Sequence, residues 1–459
     1  MFVVGALAWG AASACEAADD EDQDTGRKPP AATAVHWGAC PEQAQGEQAR
    51  DSRQRCATVK VPLNYQDPNG STIDVVISRI ATAKKDKRRG VLLLNPGGPA
   101  LMGIDMPSQV APTLPSSVLD QYDLVGFDPR GVGHSTPQSC GLRDPNPLGL
   151  FPYPGVDGSI DDNVAFARSI ADECAASPSA KNLKYFTTAN TARDLDKIRV
   201  ALGEDKISYW GQSYGTYLGA VYSALFRDRT DRVVLEGNVD PTKVWSEQFP
   251  LWGKGMADRF PDAAKVAAAQ DDTLGLGKTP EEVTRTYLDL VDRLDRQPVP
   301  VPGTQASLTG KLVRNITYGL LLHNETLPVL AQLWKAAADL AGGTLTQADD
   351  AVLAQAAAHS DTPGVPVDNQ STMSAVLTCG DASFPKNVDD YRTDTAADRR
   401  AWPLTAGMPA NIWPCAFWKD KPIENPVRVT SDGPHNILIL QNRRDNATPW
   451  EGGVGLKKA

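Results

Sequence analysis

The chain has 459 residues, with 46 Lys and Arg against 56 Asp and Glu and a formal charge of −10. That length supports a sizeable buried core and suits one large domain carrying an insertion, or two domains. The acidic balance argues against nucleic acid as a partner, because neutralising phosphates takes clustered Lys and Arg.

The N-terminus, "MFVVGALAWGAASACEAADDEDQD", is an apolar stretch of signal-peptide length followed by an acidic tract. It is too short to span a bilayer as a permanent helix. "AASAC" is similar to the lipobox of bacterial lipoproteins, which would place a lipid anchor on Cys15. Residues 1–15 are thus expected to direct export to the extracellular side or the cell envelope, and 16–35 to form a disordered acidic tether. The remaining cysteines, Cys40, Cys56, Cys140, Cys174, Cys379 and Cys415, form an even set that suits an oxidising compartment. Neighbour pairing closes the shortest loops and is the expected connectivity. None forms a CxxC pair or sits with a histidine at metal-ligand spacing, so neither a metal site nor a cofactor is expected.

Alternating strands are predicted at "CATVKVPLNY" (56–65) and "TIDVVISRIAT" (72–82). The basic run "KKDKRR" (84–89) reads as a solvated hairpin or loop. "GVLLLNPGGP" (90–99) and "YDLVGFDPRGVGHS" (122–135) are apolar runs ending in Gly/Pro turns, as parallel strands covered on both faces do. A helix over 187–203 feeds "KISYWGQSYG", then a helix, then the strand "RVVLEG" (232–237). Strands and helices so alternated predict an α/β core over 36–241. From 242 to 425 four helix-period stripes with no strand between them predict a mostly helical cap. The core returns over 426–459, with a strand in "HNILILQNRRDNATP" (435–449).

Gly211 and Gly215 flank Ser213 between a strand and a helix, the context in which Gly-x-Ser-x-Gly builds a nucleophile elbow. The backbone N–H of Tyr214 is the first expected oxyanion donor, and the Gly97–Gly98 loop of "NPGGPA" (95–100) is the second. Asp445, just past the last strand, is the candidate triad acid. Glu236 and Asp240, near a strand end, are candidate anchors for a free peptide amine, or else ordinary structural carboxylates.

"ISYWGQSYGTYLGAVYSALFRDRTDRVVLEGNVDP", "YDLVGFDPRGVGHSTP", "LLLNPGGP" and "ILILQNRRDNATP" together resemble the secreted α/β-hydrolases of the tripeptidyl aminopeptidase group, relatives of the proline iminopeptidases. The resemblance runs from His36 to Pro449. It implies an α/β-hydrolase fold, a mostly parallel sheet with a helical cap inserted before the last strands. It implies a serine exopeptidase that removes short peptides, often tripeptides, from free N-termini through an acyl-enzyme. By the same likeness Ser213 is the nucleophile, Asp445 the acid, the Gly97–Gly98 loop oxyanion support, and "VLTCGD" (376–381) the segment that re-enters the core.

Two departures stand out. The group's loop continues as "NPGGPGGSG", whereas this chain has Ala100, Leu101 and Met102. The group's triad histidine falls further beyond the aspartate than the fourteen residues that follow Asp445 here, so the sequence reads as a truncated or frameshifted copy. Of the five histidines, His435 lies at the wrong end of its strand, about 20 Å from the rim at roughly 3.3 Å per residue. His36 lies near the exported terminus. His323 and His359 lie in the helical region. His134, in a turn after a strand, is the nearest substitute and is expected to be structural. Three readings therefore stand: an exopeptidase, inactive as given unless another histidine serves; an esterase or other small-molecule hydrolase on the same fold; or a non-catalytic envelope protein that binds peptides.

Overall fold

The computed structural model describes residues 35–145, 150–302, 304, 307–346, 349 and 361–459. Alternating sequence gives β1 (Arg55–Pro62) and β2 (Thr72–Ile80), an antiparallel pair that turns apolar side chains into the core. Continuous apolar runs give β3 (Gly90–Asn95) and β4 (Tyr122–Phe127), buried at every position because layers cover both faces. β5 (Ile207–Gln212) and β6 (Thr230–Glu236) extend the sheet. A small ribbon, β7 (Val299–Pro300) with β8 (Ser307–Leu308), stands apart from it. β9 (Ile437–Leu440) completes seven strands in the order β1-β2-β4-β3-β5-β6-β9. All pairs from β4 to β9 are parallel, so β3, β5, β6 and β9 end at one rim.

Among the described residues the helices of nine residues or more are α1 (Asp161–Ala176), α2 (Thr188–Ala201), α3 (Tyr214–Leu225), α4 (Leu251–Ala268), α5 (Pro280–Arg296), α6 (Gly310–Leu320), α7 (Leu327–Gly342), α8 (Asn369–Asp381), α9 (Val388–Ala401) and α10 (Trp450–Lys458). Local chemistry starts several of them. Thr187 accepts a bond from Asn190 N at the head of α2, and Thr279 accepts one from Glu282 N, with Pro280 at the first helical position of α5.

The stretch 242–425 differs from its sequence reading in two ways. It contains a strand pair, β7 and β8, formed by two residues on each side and too short to leave a period in the sequence. It also divides between two cores. Helices α4 to α7 bury a cluster of their own that includes Met256, Phe260, Tyr287, Leu330 and Trp334. By contrast, Met373, Val376 and Leu377 of α8, with Trp413 and Cys415, join the cluster around the sheet.

Disulfides join Cys40 to Cys56, Cys140 to Cys174 and Cys379 to Cys415, the neighbour pairing expected from loop length. In the basic run, Arg88 pairs with Asp123 and Glu204, and Arg89 with Asp231, which ties the start of β3 to its neighbours. The export signal, Cys15 and nearly all of the acidic tether fall on 1–34, outside the described residues. Among the described residues no helix is long and apolar enough to cross a membrane.

Candidate active site

β5 and α3 meet at Ser213, whose backbone has φ +54° and ψ −123°. A non-glycine residue there carries strain of about 1–3 kcal/mol, which persists only where the surroundings over-determine it. Here they do. Ser213 N donates to Glu236 O at 3.0 Å, and Ser213 O accepts from Thr216 N at 2.9 Å and Thr216 Oγ1 at 2.6 Å. The serine is held from β6 on one side and from the first turn of α3 on the other.

The flanking glycines permit this approach. A Cβ on Gly211 would press on the Gly215 carbonyl and lie 2.6 Å from Tyr209 Cε1. One on Gly215 would lie 2.7 Å from Asn95 Oδ1 and 2.9 Å from Asn95 O. Asn95 Oδ1 in turn accepts from Gly97 N at 3.0 Å, so added bulk at Gly215 is passed to the loop opposite. Gly215→Ala is therefore expected to cost about 1–3 kcal/mol, as overpacking of a tight core does. A urea-midpoint shift checks it, and an unchanged midpoint would mean that strand and helix separate freely.

The loop after β3 closes against the elbow. A Cβ on Gly97, itself at φ +93°, would lie 3.1 Å from both Ser213 Cβ and Tyr214 N. The Gly97–Gly98 backbone therefore sits beside the N–H that opens α3, where a helix N-terminus favours negative charge. Behind the loop, Asp128 accepts from Gly103 N at 2.9 Å and Ile104 N at 3.2 Å. Leu101 and Met102, in place of small residues, are 39% and 36% exposed beside it.

Asp445 follows β9 and reaches the same rim. The turn at Gly237 locates both groups, since a Cβ there would lie 3.7 Å from Asp445 Oδ2 and 3.9 Å from Ser213 N. The carboxylate accepts from Ala447 N (3.0 Å), Thr448 N (2.8 Å) and Thr448 Oγ1 (3.0 Å). Burial raises its pKa above the ordinary carboxylate value, against these bonds, which pull it down. Helices α4 and α6 steady its loop: Trp252 Nε1 donates to Ala447 O at 2.8 Å, and Asn446 Nδ2 donates to Tyr318 O at 2.8 Å.

Glu236 and Asp240 are differently placed. The Glu236 carboxylate accepts from Trp210 Nε1 at 3.0 Å and Gln212 Nε2 at 3.3 Å. Asp240 is buried and accepts from Thr242 N at 2.9 Å and Thr242 Oγ1 at 2.7 Å, closing its own turn. Both carboxylates are bonded within the fold, which is the structural alternative, and these contacts lend no support to an amine site.

Among the described residues no histidine hydrogen-bonds to Ser213 or Asp445. His134 Nδ1 lies 3.3 Å from Asp128 Oδ2, and its backbone N–H donates to the same oxygen at 2.9 Å, so it belongs to the turn after β4. His359 lies outside the described residues. Sequence reasoning missed Asp128 as the anchor behind the loop. Its place in "FDPRG", one residue past a buried strand, was the available signal.

A family model described as the alpha/beta hydrolase fold matches residues 90–458. The chain is 35% identical over 418 residues to a tripeptidyl aminopeptidase of Streptomyces lividans, covering 88% of this chain and 74% of the relative. It is 31% identical over 414 residues to the serine protease Hip1 of Mycobacterium tuberculosis, covering 87% and 78%. A carboxylesterase B of the same organism is 31% identical over 440 residues, covering 92% and 81%.

Proposed function

The chain belongs to the α/β-hydrolase family, and from that premise we propose that it is an exported serine exopeptidase that releases tripeptides from free N-termini through an acyl-enzyme. The observation that carries this reading is the strained Ser213, pinned at the sheet rim beside the Gly97 loop, its backbone next to the turn that also receives Asp445. The tripeptidyl aminopeptidase and serine protease likenesses favour a peptide substrate.

In this scheme Ser213 Oγ attacks the third carbonyl carbon of the peptide. The Tyr214 N–H and the Gly98 loop receive the oxyanion. The bond to the leaving amine then breaks, the amine departs with a proton, and water hydrolyses the tripeptidyl ester on Ser213. An imidazole carries the proton in both steps, and Asp445 orients it. The apolar N-terminal stretch and the three disulfides support export, and "AASAC" supports a lipid anchor at Cys15.

Esterase chemistry is the second reading, favoured by the carboxylesterase likeness. Rates on a tripeptidyl-arylamide with a free amine, the same compound N-blocked, and a short acyl ester separate the two. The exopeptidase reading expects the free tripeptidyl compound to react at least about tenfold faster than the blocked one, a difference of roughly 1.4 kcal/mol. Turnover of the ester with neither arylamide cleaved would overturn it. Peptide binding without turnover, unchanged in Ser213→Ala, would instead favour a binding protein.

A further inference from the structure

We propose that Asp381, delivered by α8 from the region between β6 and β9, is a positioning residue that holds the nucleophile elbow in register through Thr188 and Tyr214. This rests on the reading of Tyr214 N–H as an oxyanion donor. The four side chains involved, Asp381, Thr188, Tyr214 and Trp245, are all buried. Asp381 Oδ1 accepts from Thr188 N at 2.7 Å, while Oδ2 accepts from Thr188 Oγ1 at 2.6 Å and Trp245 Nε1 at 3.2 Å. Thr188 Oγ1 also lies 2.8 Å from Tyr214 Oη. Trp245 stacks on the Tyr214 ring at 5.8 Å between centroids, and the Cys379–Cys415 disulfide tethers Asp381 from two residues away.

The direction of the chain follows from hydrogen counting. An ionised carboxylate only accepts, so Thr188 must spend its single hydroxyl proton on Asp381. Towards Tyr214 it can then only accept, so the phenol donates. The phenol is thereby fixed at one end and the elbow at the other, within the single residue that follows Ser213. Protonating Asp381 on Oδ2 reverses the Thr188 hydroxyl, and the Tyr214 proton loses its acceptor.

That switch lies within reach of mild acid. Burial pushes the Asp381 carboxyl up to about 6, against the bonds from Thr188 and Trp245. The charged and titratable groups facing it are Glu424, which raises it further and is itself paired with Arg193, and the phenols of Tyr214 and Tyr217. A cavity of about 10 Å³, room for one water, borders Asp381, Thr188, Tyr217 and Glu424. The linkage sign sets this apart from simple packing. The folded carboxyl titrates above its ordinary value of 3.8, so this group adds global stability as pH falls from about 6 towards 3.8. The elbow should loosen over the same window in which its contribution to stability grows.

The test needs no turnover, so its failure is distinguishable from failure of the exopeptidase reading. Two quantities are followed from pH 5 to 8: the Trp245 emission, as wild type minus Trp245→Phe, and amide exchange in peptides spanning residues 212–217, corrected for intrinsic rates. The proposal expects the emission to titrate near pH 6 in wild type and to be flat in Asp381→Asn. It expects exchange to quicken at least fivefold below pH 6 in wild type. In Thr188→Val the emission should still titrate while the exchange step disappears. Exchange independent of pH in wild type while Trp245 titrates, or a step that survives in Thr188→Val, would overturn it. Should Asp381→Asn fail to fold, the wild type and Thr188→Val decide the matter alone.

Discussion

Arg130→Met is expected to destabilise the protein by about 3–5 kcal/mol, the cost of removing one partner from a buried ion pair. Arg130 has no exposed surface, and Asp194 has almost none. All five guanidinium donors are used: Nε and Nη2 on Asp194 at 2.7 and 2.5 Å, Nη1 on Leu63 O and Tyr185 O at 3.0 Å, and Nη2 on Pro62 O at 3.2 Å. The turn after β4 is thus bolted to the turn after β1 and to α2. Among the described residues, removing the cation leaves the buried carboxylate with only Tyr65 Oη donating to it, at 2.7 Å, and takes a donor from three carbonyls, of which Tyr185 O keeps Asn190 Nδ2 at 2.9 Å. Urea titration checks it. Arg130→Met combined with Asp194→Leu should recover a large part of the loss, because a matched apolar pair removes the uncompensated charge. A single variant within about 1 kcal/mol of wild type would mean that the pair is relaxed by solvent.

Ser213→Ala is expected to remove all hydrolysis of a tripeptidyl-arylamide, a loss of about 10⁶-fold in an enzyme with a complete triad. In the 459-residue chain the same substitution is best read against imidazole added to the buffer. No described histidine touches Ser213 or Asp445, whereas Asp445 already presents a half-buried, hydrogen-bonded carboxylate at the rim. Added imidazole should therefore raise the wild-type rate well above that of Ser213→Ala, and leave the alanine variant at the rate of imidazole in buffer alone. Equal acceleration of both proteins would place the reaction outside the elbow.

Much of this site was legible before the structure because its parts are local. β3 and β4 announced themselves as apolar runs closed by Gly/Pro turns, and Gly211 and Gly215 declared the tight strand-to-helix turn because only small residues fit there. The cysteines paired as the shortest loops suggest. What stayed hidden depends on long-range contacts. Asp381 bonds to Thr188 across 193 residues, and nothing in "VLTCGD" marks which side chain it will meet. The two cores within 242–425 were equally invisible, because nothing in "NQSTMSAVLTCGD" tells whether α8 packs on the sheet or on α4 to α7. Glu236 and Asp240 were singled out by their position at a strand end, but period-2 geometry does not say that Trp210 and Gln212 will occupy the first, or Thr242 the second.

The most direct measurement of the central claim is peptide mapping by mass spectrometry after a fluorophosphonate reagent is applied in the presence of imidazole. A hydroxyl presented in strained backbone at the C-terminal rim of the sheet predicts a single adduct on the peptide containing Ser213, absent from Ser213→Ala. An adduct on a different residue that survives in Ser213→Ala, or an unmodified Ser213 in folded protein at reagent excess, would contradict it.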